Sequence, residues 1–256
     1  MNLLSGAGAA LLELIYPRVC PGCGFSAGTR PWHPGGVPMR GLRPWDASPL
    51  CLGCANTLLA ATPVAGHLAT GADRPLPVRA AGPTHGRLVD LVGAWKYKGL
   101  RGLAWPLGAA LAAAWPTAEL QDLCPGGWVA MPLHRRRRRS RGFNQARLLA
   151  EILARKTDLP VHDPLLRRVR GTGQQAKVTG ERRRRANVAG AFALAGDSRD
   201  RPVGPVGLVD DLVTSGATAA AAAVVLRQGG VEVAAVLALG WAGPVRAQVD
   251  SDPPDF

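Results

Sequence analysis

The apolar positions of residues 206–240 fall into two runs separated by an alanine-rich stretch. The first, from Val206, is an apolar run that ends at two adjacent carboxylates, Asp210 and Asp211, and is bounded by turn residues, which predicts a buried strand. Residues 217–227 are rich in Ala, the best helix former, and Gly229 and Gly230 supply a stop. The second run, VEVAAVLALG, predicts another strand. Strand, loop, helix and strand make a βαβ unit, which requires parallel pairing. Open α/β sheets bind ligands outside the carboxyl ends of their strands, so chemistry is expected where the first run ends.

The rest of the chain reads more coarsely. Residues 84–115 carry apolar side chains at helical spacing, broken by a turn at Gly99. Residues 128–133 can form a strand, and residues 145–154 place Leu148, Leu149, Ile152 and Leu153 on one helical stripe. Between them lies a basic loop with His134, Arg135 to Arg139, Arg141 and Gly142. A basic loop between a strand and a helix amino terminus suits a polyanionic phosphate, with a solvated turn or a nucleic-acid patch as the alternatives. Residues 165–192 are Arg-rich with few apolar anchors, which predicts a mobile lid or a nucleic-acid contact. Residues 55–80 are read as a linker.

The first 20 residues are apolar but lack a basic leading region, and Glu13 interrupts them. They are read as an amphipathic helix packing on the body, not as a targeting signal or membrane span. A cytoplasmic location is expected. The division is therefore residues 1–81, with the helix, a cysteine-bearing segment and the linker, and residues 82–256, an α/β domain.

Composition adds two constraints. Apolar residues make up 47% of the 256, enough for a sizeable core, and the net charge of +13 attracts phosphate-rich partners of any class. Four of five cysteines form two pairs, Cys20-Pro-Gly-Cys23 and Cys51-Leu-Gly-Cys54. Two such knuckles can complete a tetrahedral four-thiolate zinc site, although the Pro/Gly/Trp-rich insert between them, containing His33, is longer than in most zinc ribbons. Disulfides or a redox CxxC are the alternatives, both disfavoured in a cytoplasmic chain with paired knuckles. Cys124 is read as an ordinary thiol.

The stretch after Val209 carries the sharpest signal. Neighbouring strand residues point to opposite faces, so Asp210 and Asp211 reach one ligand only if the chain leaves the strand there. Two adjacent carboxylates call for a partner with several donors, and a sugar diol supplies two. Thr214, Ser215, Gly216, Ala217 and Thr218 offer hydroxyls and successive backbone N–H groups at a helix amino terminus, a cradle for one phosphate. Diol and phosphate together describe a ribose 5-phosphate. The bland alternative is a pair that caps the helix or solvates a loop. Replacing Gly216 by Val is expected to obstruct the phosphate without disturbing the fold.

VGLVDDLVTSGAT resembles the phosphoribosyl pyrophosphate (PRPP) signature of type I phosphoribosyltransferases, with Ser215 where a second Thr is common. WKYKGLRGLAWPLGAAL, PLHRRRRRSRGFNQARLLA, RGTGQQAKVTGERRRRANVAGAF and the double CxxC together resemble the ComF family, linked to competence and DNA uptake. The chain departs from that pattern in its long knuckle insert, in Met131 before the PLH motif, and at Ser215. The resemblance implies a type I phosphoribosyltransferase-like parallel sheet flanked by helices, with an amino-terminal four-cysteine zinc-ribbon-like segment held by Cys20, Cys23, Cys51 and Cys54. It implies that Asp210 and Asp211 bind the ribose diol of PRPP and residues 214–218 its 5-phosphate. His134, Arg135 and Arg141 would face pyrophosphate, magnesium would accompany PRPP, and Arg170, Lys177 and Arg182 of the lid would stabilise charge during transfer to an unknown acceptor. A non-catalytic accessory protein that binds single-stranded DNA and competence proteins is the rival reading.

Overall fold

The computed structural model describes residues 19–24, 50–70, 75–170, 190–196 and 201–243. Along the chain, α1 (Leu52–Leu59) leads to β1 (Val64–Leu68), β2 (Leu76–Pro83) and α2 (Arg87–Tyr97). A 3-10 turn at Arg101–Leu103 precedes α3 (Ala104–Ala113), α4 (Thr117–Leu123) and β3 (Trp128–Ala130). Next come α5 (Arg135–Arg141), α6 (Gln145–Thr157), β4 (Leu166–Arg168) and β5 (Phe192–Leu194). The chain continues as β6 (Val206–Val213), α7 (Ala217–Gln228) and β7 (Val233–Trp241).

The two apolar runs form β6 and β7, paired in parallel across α7 as the βαβ pattern requires. They sit inside a five-stranded sheet of order β1-β2-β7-β6-β3, in which only β1 runs antiparallel. A near-continuous apolar run such as VAAVLALGW is what a strand covered on both faces needs, and all but one residue of β7 is buried. Helix α3 packs on α6 closely enough that a Cβ at Gly108 would lie 2.3 Å from the Ile152 Cδ1 atom. On α6, Leu149 and Leu153 are buried while Leu148 and Ile152 are partly covered, so the stripe faces inward as expected. No described helix is long and apolar enough to cross a membrane.

Three expectations need correction. Residues 55–80 are not a linker: they carry most of α1, all of β1 and half of β2, and the boundary drawn between 81 and 82 falls inside β2. The turn-rich spacing hid the edge strand β1, with Val64, Gly66 and Leu68 buried, and its inner neighbour β2, which is mostly buried. The basic segment after β3 is not a loop but the short helix α5, and β3 itself stops at Ala130, before Pro132. Arginine is a good helix former, the His134 Nδ1 atom accepts the Arg136 N–H at 3.4 Å, and Gly142 ends the helix in the left-handed conformation at φ 76°. Finally, β6 does not end at the acidic pair but continues to Val213. The lid segment is bounded by β4 and β5, which pair antiparallel. Residues 171–189 between them, the amino-terminal helix expected over residues 1–18, and the insert with His33 lie outside the described residues.

Candidate functional site

Strand β3 ends at Ala130, opposite Val209, so β6 emerges beyond that point without a neighbour on that edge. The last bond across it runs from the Met131 N–H to the Val209 carbonyl, at 2.8 Å. The amides that follow turn to side chains. The Asp211 N–H donates to Asp210 Oδ1 at 2.8 Å, and the Leu212 N–H donates to Asp211 Oδ1 at 2.7 Å. Each carboxylate thus accepts the N–H of the residue that follows it while the strand continues to Val213.

Cations from two elements act on the pair, and a third element acts on one of those cations. Lys96, at the end of α2, places its Nζ 2.8 Å from Asp211 Oδ1, with both side chains mostly buried. Burial pushes the Asp210 carboxyl up to about 7; Asp211 adds to this, while the Asp211 N–H, Lys96 and Arg168 oppose it. Arg168 of β4 is itself held below its ordinary value by burial and by Arg137 of α5, against the pull of Asp210. Lys96 stands within the WKYKG stretch and Arg168 within the Arg-rich segment, but neither stands out there as a site residue, because their roles depend on α2 and β4 meeting the end of β6. The WKYKG and RGFNQ motifs meet too: Trp95 packs against Phe143 at 5.9 Å, and the Arg141 guanidinium stacks over Tyr97 at 5.3 Å. Asn144, ahead of α6, donates to the Met131 carbonyl at 3.1 Å and so ties that corner to the end of β3.

After β6 the chain reaches the expected phosphate loop. Thr214 and Ser215 are exposed, and Gly216 caps α7 in the left-handed conformation at φ 70°. A Cβ there would lie 2.2 Å from the Leu68 Cδ2 atom of β1. Gly216 is thus required by backbone and packing, which corrects the expectation that Val at this position leaves the fold undisturbed. A cavity of about 750 Å³ borders Thr214 and Ser215 and extends along α7 past His67 to Gln228. Neither aspartate lines it, so the loop separates the cavity from the acidic pair.

The four knuckle cysteines form a second candidate centre. Their sulfurs all lie within 4.8 Å of one another, and Cys23 Sγ and Cys51 Sγ are 3.8 Å apart. A Zn–S distance of about 2.3 Å in a tetrahedron gives an S–S edge of about 3.8 Å, whereas a disulfide needs about 2.0 Å. All five cysteines are free thiols. Backbone and side-chain donors face the sulfurs: the Cys51 N–H points to Cys20 Sγ at 3.4 Å, and Arg87 Nη1 to Cys54 Sγ at 3.0 Å. Burial raises Cys20, but the amides of Cys51, Gly22 and Cys23 outweigh it and bring the thiol down to about 7. Burial and the sulfurs around it push Cys54 up to about 12. The donor set and spacing fit a four-coordinate metal such as zinc. Cys124 is buried, its thiol pushed up to about 12 by that burial, which suits an inert core residue.

Asp210, Asp211, Thr214, Ser215, Gly216, Ala217 and Thr218 therefore occupy one strand end and the helix start beyond it. The arginine helix acts on Arg168 through Arg137, whereas His134 serves as its amino-terminal cap. Arg135 is exposed, and Arg141 bonds Gln145 Oε1 at 3.2 Å. Arg170 is exposed next to β4, while Lys177 and Arg182 lie outside the described residues.

No family model matches the chain. It is 37% identical over 108 residues to competence protein F of Haemophilus influenzae, covering 42% of this chain and 47% of that protein. It is 35% identical over 106 residues to DNA utilization protein YhgH of Escherichia coli O157:H7, covering 41% of this chain and 45% of that protein. The chain thus matches a little under half the length of each of these curated relatives. These two similarities support assignment of the chain to the ComF family.

Proposed function

We propose that the chain binds PRPP at the end of β6 and transfers its ribose 5-phosphate to an acceptor, in the service of DNA uptake. The observation that carries this reading is the order of groups along one strand and turn. Two carboxylates are followed within a few residues by exposed hydroxyls and a left-handed glycine that opens a twelve-residue helix. Carboxylates accept hydroxyl donors, and a helix amino terminus with free N–H groups accepts a phosphate dianion. Lys96 and Arg168 act on the pair and Arg137 acts on Arg168, and a pyrophosphate on the same sugar needs such countercharge. In transfer, the C1–O bond breaks with its electron pair leaving on pyrophosphate, and the acceptor's lone pair bonds C1. Because the acidic pair is already bonded to Lys96 and to its own backbone, it is not a preformed cation cage; magnesium would arrive on the ligand's oxygens and neutralise the leaving group. The names of the two relatives supply the competence and DNA-utilization context. In the cysteine cluster we propose a structural zinc.

A second reading is favoured by one observation: Arg135 to Arg139 are all exposed on α5. Such a helix is an electrostatic footprint for single-stranded DNA, which a non-catalytic accessory protein would use. Calorimetry with PRPP and magnesium separates the two. Saturable binding that Asp210→Asn and Asp211→Asn each weaken about tenfold or more is expected, since a charge-assisted hydrogen bond contributes about 1.5–3 kcal/mol. Asn variants that bind PRPP and ribose 5-phosphate like the parent would end the sugar-phosphate reading. Pyrophosphate release during an acceptor screen would then identify turnover.

A further inference from the structure

The acidic pair could not work as two acceptors on its own. Adjacent carboxylates in a partly buried site repel, and one of them is driven to hold its proton. Among the cations around the pair, Lys96 makes the direct ion pair: its Nζ is 2.8 Å from Asp211 Oδ1, and the two side chains are 14% and 13% exposed. Its position is fixed by packing. Trp95, the preceding residue, is fully buried against Phe143, and the Lys98 N–H closes α2 on the Ala94 carbonyl at 2.9 Å. A largely desolvated ammonium–carboxylate pair is a poor device for stability alone, since apolar residues of the same volume serve as well.

The bonding also divides the oxygens. Asp210 Oδ1 takes the Asp211 N–H, and Asp211 Oδ1 takes both the Leu212 N–H and Lys96. Among the described residues no donor is bonded to Oδ2 of either carboxylate, which leaves these two oxygens as acceptors for a ligand. We propose that Lys96 is the positioning residue of the acidic pair, clamping Asp211 so that the two remaining oxygens present as a matched acceptor for a vicinal diol. Lys96 acts through Asp211 and not on the reacting atoms. The ligand half of this inference rests on the sugar-phosphate reading; the clamp itself does not.

The charged groups facing the pair are Lys96 from α2, Arg168 from β4 and Arg137 from α5, the last acting on Arg168. Since Lys96 pulls Asp210 down, removing its charge leaves Asp210 protonated to higher pH. The experiment compares the full chain with Lys96→Met and Lys96→Arg, first by following the aspartate carboxyl carbons by NMR through a pH titration without ligand. Calorimetry with PRPP and magnesium at pH 6, 7 and 8 follows, chosen at roughly a unit either side of the Asp210 midpoint. In Lys96→Met the Asp210 midpoint should rise and PRPP affinity at pH 7 should fall about tenfold or more, recovering in part at pH 8. Lys96→Arg should restore most of both. Lys96→Gln, which keeps a donor but removes the charge, supplies the same comparison should Lys96→Met not fold. Unchanged carboxyl titration in the neutral variants overturns the clamp. A parent protein that binds no PRPP removes the sugar-phosphate reading instead, and the titration still decides the role of Lys96.

Discussion

Asp210 shows how one residue can trade stability against binding. Its folded value near 7 exceeds the ordinary 3.8, so between roughly pH 4 and 7 the folded state holds a proton that the unfolded state has released. Its contribution to stability is therefore greatest below that window and declines as pH rises through it. Ligand binding should run the other way, because a diol needs the ionised acceptor; PRPP affinity is expected to climb from pH 6 to pH 8 in calorimetry. Asp210→Asn keeps the acceptor for the Asp211 N–H but abolishes the buried charge. It should melt at the same temperature as the parent, or higher, at pH 8 while binding PRPP about tenfold more weakly. A variant that loses stability at pH 8 would show that the carboxylate is structural. Gly216→Val has the opposite signature. The left-handed backbone and the contact with Leu68 both oppose a β-branched side chain, so unfolding should cost at least about 2 kcal/mol less, read from denaturant titration. Unaltered stability in that variant would contradict the packing described for the loop.

At the scale of elements, α2 joins the two candidate centres: its first residue, Arg87, faces Cys54, and its tenth, Lys96, faces Asp211. About one zinc per chain is expected by elemental analysis, and reduced, freshly prepared protein without zinc would contradict the assignment. Arg87 donates to a sulfur that would be a zinc-bound thiolate, and outer donors of this kind typically alter metal affinity by about 10–100-fold. Arg87→Gln should thus hasten zinc transfer to a chelator, and a transfer rate equal to the parent's would remove Arg87 from the metal site. How far these elements were legible in the sequence depended on whether their determinants are local. The βαβ unit announced itself because strand burial, alanine content and a glycine stop are all short-range properties of residues 206–240. The cysteine pairs were legible for the same reason. β1 and β2 are not legible locally because their apolar runs are short and split by polar residues, and what makes them strands is the pairing of β2 with β7 and of β1 with β2. The arginine run has the charge of a solvated loop, but the helix propensity of arginine, the His134 cap and the Gly142 stop make it a helix. Lys96 belongs to the WKYKG motif, but its role and that of Arg168 depend on α2 and β4 converging on the end of β6.

For the whole molecule, the net charge of +13 leaves open which phosphate-rich partner the positive surface serves. Helix α5 can decide it, because it carries five consecutive exposed arginines, of which Arg137 acts on Arg168. Replacing Arg135 to Arg139 by Gln keeps good helix formers on the same backbone, so the fold should be retained. Three ligands then read three different things. Ribose 5-phosphate lacks a pyrophosphate and should bind the variant like the parent, since the diol and phosphate contacts are untouched. PRPP should bind more weakly if α5 supplies countercharge to the pyrophosphate, and Arg137, which already interacts with Arg168, is the residue through which that loss should pass. Single-stranded DNA tests the accessory reading by its salt dependence: each lost phosphate contact should flatten the slope of log affinity against log salt by about 0.7. A protein that uses α5 for pyrophosphate alone will lose PRPP affinity with no change in the DNA slope. A protein that uses it for DNA alone will show a flatter slope and parental PRPP binding. If the variant matches the parent for all three ligands, α5 is a solvated face and the countercharge at the site rests on Lys96 and Arg168.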